Sequence, residues 1–205
     1  MKNTTIINIG RQYGSGGRLI GEKLAEKLQF AFYDKELINL ASKESGLGKE
    51  FFEQADERKS YGLFGSFLGL RSNVVGGNFP NNCLSGEELF RIQSDVIKNL
   101  AEQQPCIFVG RCADYILREN PRCLNIFVTA SMSDRIRRVL NRNEAEKTSE
   151  NAVIDLIEKV DKKRADYYNY FSNKTWGAAS SYHLCINSSF LGVDDAVKLI
   201  ENIIH

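Results

Sequence analysis

The run Gly10-Arg11-Gln12-Tyr13-Gly14-Ser15-Gly16-Gly17-Arg18 carries the residue types needed to hold phosphate. Gly14, Gly16 and Gly17 lie within four residues, and glycine lets a backbone turn tightly or enter left-handed conformations. Successive N–H groups can then converge on an anion, and a helix starting near Arg18 would add its positive N-terminal end. The common phosphate-loop pattern is G-x-x-x-x-G-K-[ST]. With Gly14-Ser15-Gly16 as the loop tip, Gly17 stands where that pattern has lysine, and Arg18 follows one step later. A glycine-dense strand-to-helix turn also serves plain close packing of a helix on a sheet, but the strand before it, the amphipathic helix after it and a nearby arginine favour the phosphate reading.

Transfer or binding of a phosphoryl group needs positive charge around the phosphates more than covalent chemistry. Arg11 and Arg18 flank the loop. Arg111, in Val109-Gly110-Arg111, directly follows an apolar run and would emerge at the carboxyl end of a strand, where ligands bind in open α/β sheets. Arg135, Arg138 and Arg142 share one helical face by spacing. Lys162, Lys163 and Arg164 form a second cluster, in which Arg164 falls on an approximate apolar stripe of Ile157, Val160, Tyr167 and Phe171; a cation there should snorkel or meet an anion. Asp34 and Asp114 are acidic candidates for a substrate hydroxyl or water-bound Mg²⁺. Asp161 precedes the second basic cluster, and any of these carboxylates can equally cap a helix or face solvent.

The elements that must position these residues alternate between β-rich apolar runs and helical periodicity, the pattern of an α/β fold with a parallel sheet. Strands are expected at 5–9, 30–33, 106–109, 124–128 and 183–186. Helices are expected at 18–28 (Leu19, Ile20, Leu24 and Leu28 forming its buried face), 35–43, 133–142, 151–171 and 194–204, with Asp194 as N-cap of the last. Residues 46–85 are glycine-rich with interspersed hydrophobics and are too long for a plain connection. They read as an insertion over the carboxyl edge of the sheet or, alternatively, as a partly disordered surface loop, the apolar stretch 63–75 suiting a substrate flap or a dimer surface. The chain has 205 residues, 42% hydrophobic and 26% charged, with net charge +1. This suits one soluble domain and gives no general argument for nucleic acid or membrane partners. No apolar run reaches the roughly 18–20 residues that span a bilayer. Five cysteines without a C-x-x-C pair suggest neither a disulfide framework nor a zinc site, and a reducing cytoplasm fits them.

Taken in order, Gly14-Ser15-Gly16-Gly17-Arg18-x-Ile20-Gly21, Phe32-Tyr33-Asp34-Lys35-Glu36-Leu37-Ile38 and Val109-Gly110-Arg111-Cys112-Ala113-Asp114-Tyr115-Ile116-Leu117 resemble the bacterial cytidylate kinase-like family. Phe127-Val128-x-Ala130-Ser131 with Arg135, and Lys162-Lys163-Arg164-Ala165-x-Tyr167-Tyr168 leading to Trp176-Gly177, extend the resemblance over nearly the whole chain. It implies a three-layer P-loop NTPase fold: a five-stranded parallel sheet flanked by helices, an acceptor-binding insertion at 46–90 and a lid at 138–172. It implies a nucleoside monophosphate kinase that uses ATP and Mg²⁺, with CMP or dCMP as acceptor, acting as a monomer or homodimer. By the resemblance, Gly14, Ser15, Gly16, Gly17, Arg18 and Leu19 hold the donor phosphates, with Arg135 near the donor nucleotide. Asp34, Lys35, Arg111 and Asp114 belong to the acceptor side. Arg18, Arg111, Lys163 and Arg164 surround the transferring group. Two departures stand out. The loop lysine is Gly17, and Cys112 replaces the aspartate that follows Gly-Arg in true cytidylate kinases. A guanidinium at Arg18 could replace the lysine with different reach. The alternative is a nucleotide-binding sensor or partner-binding module without turnover; a third reading is a different phosphorylated ligand and no ATP.

Overall fold

A computed structural model describes residues 5–35, 38–39, 86–142 and 149–204. The expected helix at 35–43 lies largely, and the glycine-rich segment 46–85 with its apolar stretch 63–75 wholly, outside these residues. Two compact units divide the chain, one from Met1–Glu36 with Ile97–His205, the other Leu37–Val96. In the second, Gln93 donates from Nε2 to Asn39 Oδ1 at 2.9 Å.

In the first unit, β1 (Ile6–Arg11) runs into α1 (Gly17–Leu28) and then β2 (Ala31–Tyr33). The helix α2 (Gly86–Gln103), which enters this unit at Ile97, leads to β3 (Cys106–Val109), a short α3 (Ala113–Ile116) and β4 (Cys123–Thr129). There follow α4 (Met132–Arg142), α5 (Glu150–Ser172), β5 (Leu184–Asn187), α6 (Ser188–Leu191) and α7 (Val193–Ile204). The five strands form one sheet in the order β2-β3-β1-β4-β5, every neighbouring pair parallel. The fold is thus the α/β architecture of a P-loop protein.

The near-continuous apolar run of β1 follows from its place at the centre of a sheet covered on both faces. Side chains alternate along each strand. Ile7, Ile9, Ile107, Val109, Ile126, Val128 and Ile186 face one way and pack with Ile20 and Leu24 of α1 and Ala196, Val197 and Ile200 of α7. On the opposite face, Asn8 and Asn125 are register partners, and Asn8 Nδ2 donates to Asn125 Oδ1 at 2.8 Å. The connections after β1 and β3 cross the sheet in opposite directions, one toward β2 and the other toward β4, the switch point at whose carboxyl edge ligands bind in open α/β sheets.

Three expectations are corrected. The sequence reading assigns no element over 86–103, where the structure has the 18-residue α2; its apolar spacing follows directly on a glycine-rich stretch. Leu19 is 38% exposed, not part of the buried face of α1, because the sheet is reached by Ile20 and Leu24. Asp194 lies inside the first turn of α7, where its carboxylate accepts from Lys23 Nζ at 2.5 Å and complements the helix dipole.

Candidate phosphate site

The loop after β1 is built from the outside. Gly14 and Gly16 have φ of 77° and 81°, left-handed values that non-glycine residues rarely take. A Cβ on Gly14 would lie 2.8 Å from the Arg135 carbonyl oxygen. The loop carbonyls are drawn outward by arginines and a serine. Arg164 Nη1 donates to Arg11 O (3.0 Å), Arg135 Nε to Tyr13 O (2.7 Å), Arg138 Nη1 to Gly14 O (3.3 Å) and Ser188 Oγ to Ser15 O (2.6 Å). A trans peptide is planar, so a carbonyl turned outward sends the following N–H the other way. The outward carbonyls of Tyr13 and Ser15 therefore aim the N–H groups of Gly14 and Gly16 into the loop. The first turn of α1 begins there, with Ile20 N–H on Gly16 O at 2.9 Å.

Gln12 and Ser15 lock the curve from within. Gln12 N–H donates to Val128 O (3.0 Å), and its Oε1 accepts from Thr129 Oγ1 (2.5 Å) and Ala130 N–H (3.2 Å). Ser15 Oγ donates to Gln12 O at 2.9 Å and accepts from Gly17 N–H at 3.4 Å.

Behind the loop, Asp161 of α5 is the hub. Its carboxylate accepts Tyr13 N–H at 2.7 Å, pairs with Arg135 Nη2 and lies 3.8 Å from Arg164 Nη1. Arg135 is only 5% exposed, and a buried guanidinium requires such an anion. Arg164 also stacks over the Tyr13 ring, 5.5 Å from its centroid. The stripe cation thus meets both an anion and a carbonyl. Lys162 and Lys163 lie on the exposed side of α5, Lys162 pairing with Asp166 at 3.0 Å. Of the expected lid at 138–172, residues 138–142 and 149–172 are described, and the side chain of Arg142 lies outside them.

Arg18 turns to the other flank. Its Nε and Nη2 donate to one oxygen of buried Asp34 (3.0 and 2.8 Å), and Nη1 to Glu22 (2.5 Å). Lys35 follows at the head of the next segment and is half-buried.

At the carboxyl end of β3, Gly110, Arg111 and Cys112 take φ of 86°, 60° and 55° in succession. Two adjacent non-glycine residues in this region store strain, of the kind that collects at ligand sites. Arg111 Cζ lies 5.7 Å from the Tyr167 ring centroid, a cation–π contact from α5. Burial pushes the Tyr167 hydroxyl up to about 12, so the ring stays neutral beneath the guanidinium. Burial and then the Asp114 charge raise the Cys112 thiol to about 12, which leaves it an unreactive packing group at neutral pH.

Asp114 is buried and accepts Tyr168 O–H at 2.7 Å. With Asn125, Lys174 and His183 it also lines a polar cleft of about 400 Å³. That cleft lies on the sheet face opposite α1. Burial raises the Asp114 carboxyl above its ordinary value, against the Tyr168 hydrogen bond and the Lys174 charge. A folded pKa above the unfolded one means that the folded chain binds this proton more tightly. Ionising Asp114 therefore costs stability as pH rises, and the cost vanishes below the ordinary carboxyl pKa. Asp114→Asn should unfold at higher urea than wild type at pH 8, the gap closing toward about pH 4. A lower midpoint for the variant at pH 8 would reject this account.

The arrangement joins expected residues into two groups. Gly14, Ser15, Gly16, Gly17, Arg135 and Arg164 belong to the loop and its fastening, and Arg18 to Asp34. Gln12, Asp161 and Ser188 complete the loop. For Asp161 the i to i+3 spacing with Arg164 was the one local signal.

The sequence matches the model of the cytidylate kinase-like family over residues 6–190. Among solved structures, an uncharacterised protein from Eubacterium ventriosum ATCC 27560 has 27% identity and a TM-score of 0.73 over 98% of each chain. Shikimate kinase from Bacteroides thetaiotaomicron has 14% identity and a TM-score of 0.53 over 98% of each chain. A gluconokinase from Sinorhizobium meliloti 1021 has 12% identity and a TM-score of 0.51, over 99% of this chain and 97% of that one; these two share the fold. Among curated proteins no match was found. The described helices include none long and apolar enough to cross a membrane. Glycine loop, parallel sheet and a family match over most of the sequence agree: the chain belongs to the cytidylate kinase-like family.

Proposed function

We propose that the protein transfers the γ-phosphoryl group of ATP to a nucleoside monophosphate, with CMP or dCMP the acceptor that family membership suggests. The observation that carries the reading is the loop itself, with the Tyr13 and Ser15 carbonyls fastened by Arg135 and Ser188, an arrangement from which the N–H groups of Gly14 and Gly16 would converge on an anion. The loop from Gly14 to Leu19 and the first turn of α1 would receive the donor phosphates. Arg111, poised by a strained turn over Tyr167, would grip the acceptor phosphate. Asp34, held by Arg18, and Lys35 stand at the end of β2 as acceptor contacts, and Asp114 sets the turn behind Arg111. Arg135 and Arg164 act through the loop they position, and Lys163 lies on the exposed side of α5, open to a nucleotide. Preorganised donors of this kind lower a barrier by positioning and charge neutralisation.

The shikimate and gluconate kinases similar in fold phosphorylate other acceptors by name, so the acceptor class needs a direct test. Magnesium would enter mainly on the donor phosphates with water. Arg18 stands where the loop pattern supplies a hydroxyl ligand, and among the described residues no three His, Cys, Asp or Glu side chains converge as a metal site.

The test is calorimetric titration with ATP–Mg²⁺ and then CMP, followed by ADP release over a panel of nucleoside monophosphates and small hydroxy acids. ADP release with CMP supports the proposal. Donor binding without turnover across the panel supports the second reading, a nucleotide sensor, which Gly17 in the lysine position favours. Arg111→Ala should weaken acceptor binding by about 1.5–3 kcal/mol, the worth of a hydrogen bond to a charged group. Unchanged acceptor affinity by the same calorimetry would reject the role of Arg111.

A further inference from the structure

We infer that Arg11, the last residue of β1, supplies the positive charge that Gly17 leaves out of the loop; the inference rests on the donor-phosphate reading above. In the pattern G-x-x-x-x-G-K-[ST], aligning Gly16 with the second glycine puts Arg11 on the first glycine and Gly17 on the lysine. Cation and glycine have exchanged positions within one motif.

The geometry shows why the exchange is coupled. A Cβ on Gly17 would lie 2.6 Å from Arg11 Cβ, 3.2 Å from Arg11 Cγ and 3.2 Å from Val128 Cβ. The arginine stem therefore fills the space through which a side chain at 17 would leave the helix. From there it crosses to the end of β3. Its guanidinium lies against Gly110, where an added Cβ would overlap Nη1 and sit 3.2 Å from Cζ. Gly110 immediately precedes Arg111, so Arg11 bridges the donor loop and the turn assigned to the acceptor.

Arg135, Arg138 and Arg164 donate to carbonyls on the outer side of the loop. Arg18 is held by Asp34 and Glu22 on the flank. The Arg11 backbone is itself pinned, since its carbonyl accepts from Arg164 at 3.0 Å. With a donor nucleotide seated in the loop, a guanidinium fixed at this place would face the oxygen between two donor phosphates. As an acceptor oxygen bonds to the γ-phosphorus and the bond to the β,γ-bridging oxygen breaks, that electron pair passes to the β-phosphate of ADP. Arg11 neutralises the charge that gathers there.

The test compares wild type with Arg11→Met, which keeps an apolar stem over Gly17, and with Arg11→Gly alone and combined with Gly17→Lys, which restores the common order. Gly17 needs no left-handed φ, so its backbone accepts lysine once the arginine stem is gone. Binding of inorganic tripolyphosphate and of ATP is measured by calorimetry, alongside ADP release and thermal melting. For Arg11→Met, tripolyphosphate affinity is expected to fall roughly ten- to hundredfold and kcat by roughly 10²–10³-fold, with melting close to wild type. The double variant should recover at least tenfold in tripolyphosphate binding over Arg11→Gly. Wild-type affinity and kcat in Arg11→Met, or no recovery in a folded double variant, overturns the assignment while the donor reading stands. If wild type binds neither tripolyphosphate nor ATP, the donor reading falls first and the role of Arg11 with it.

Discussion

Gly16→Val is expected to abolish measurable ATP binding while leaving the sheet folded. Gly16 sits at φ 81° directly before α1. An L-residue in this conformation costs roughly 1–2 kcal/mol, and a branched Cβ makes it a severe outlier. The added side chain would not plug the cradle. Its Cβ would face Val193 Cγ2 at 3.3 Å and Arg138 Nη1 at 3.8 Å, on the outer side. The damage is carried by the backbone: relieving φ rotates the peptide that presents the Gly16 N–H and shifts the first turn of the helix. One lost hydrogen bond to a charged group is worth about 1.5–3 kcal/mol, so strain and lost contact together predict an affinity loss of roughly a hundredfold or more. Calorimetry with ATP measures the loss, and urea unfolding separates it from global collapse. Normal ATP affinity in a folded Gly16→Val protein would show that the anion site lies elsewhere.

The parts of this molecule that depend on neighbours in sequence were legible from it. Apolar runs bounded by turn residues mark all five strands to within two residues, because a strand buried on both faces has little freedom in composition. The glycines announced the loop, because Gly14 and Gly16 must take backbone angles that other residues avoid. Partner choice was not legible. Tyr13 and Asp161 are 148 residues apart, and Arg138 and Gly14 are separated by 124. The spacing of Arg135 and Arg138 placed them on one helical face but could not say that the face lies against a loop. Arg18 shows the opposite limit. Its position next to the glycines suggested a phosphate ligand, while Asp34, sixteen residues on, draws it to the flank. The α2 helix was hidden for a third reason: a glycine-rich approach outweighed the four-residue spacing of Ile97 and Ala101, which only burial reveals as a core face.

Removing the hub behind the loop should be the most destabilising single change in the site. Asp161→Ala takes away the acceptor of Tyr13 N–H and the anion shared by Arg135 and Arg164. It leaves two guanidinium groups, one of them nearly inaccessible to water, facing each other without a counter-charge. Breaking a buried pair from one side costs about 3–5 kcal/mol, far more than the pair itself contributes against an apolar replacement. The asymmetry gives a sharper test than the single variant. Arg135→Ala removes one stranded charge, so in the double variant the two losses should add to less than their sum by at least about 0.5 kcal/mol. Urea unfolding of the four proteins in the cycle measures this. The same variants should lose ATP affinity, because the Tyr13 carbonyl is no longer pulled outward and the Gly14 N–H no longer aimed inward. Full additivity, with phosphate binding intact, would mean that the arginines merely rest against the loop. Coupled losses in both readouts would mean that they shape it, and that the basic residues of α4 and α5 reach the phosphates through the backbone they hold.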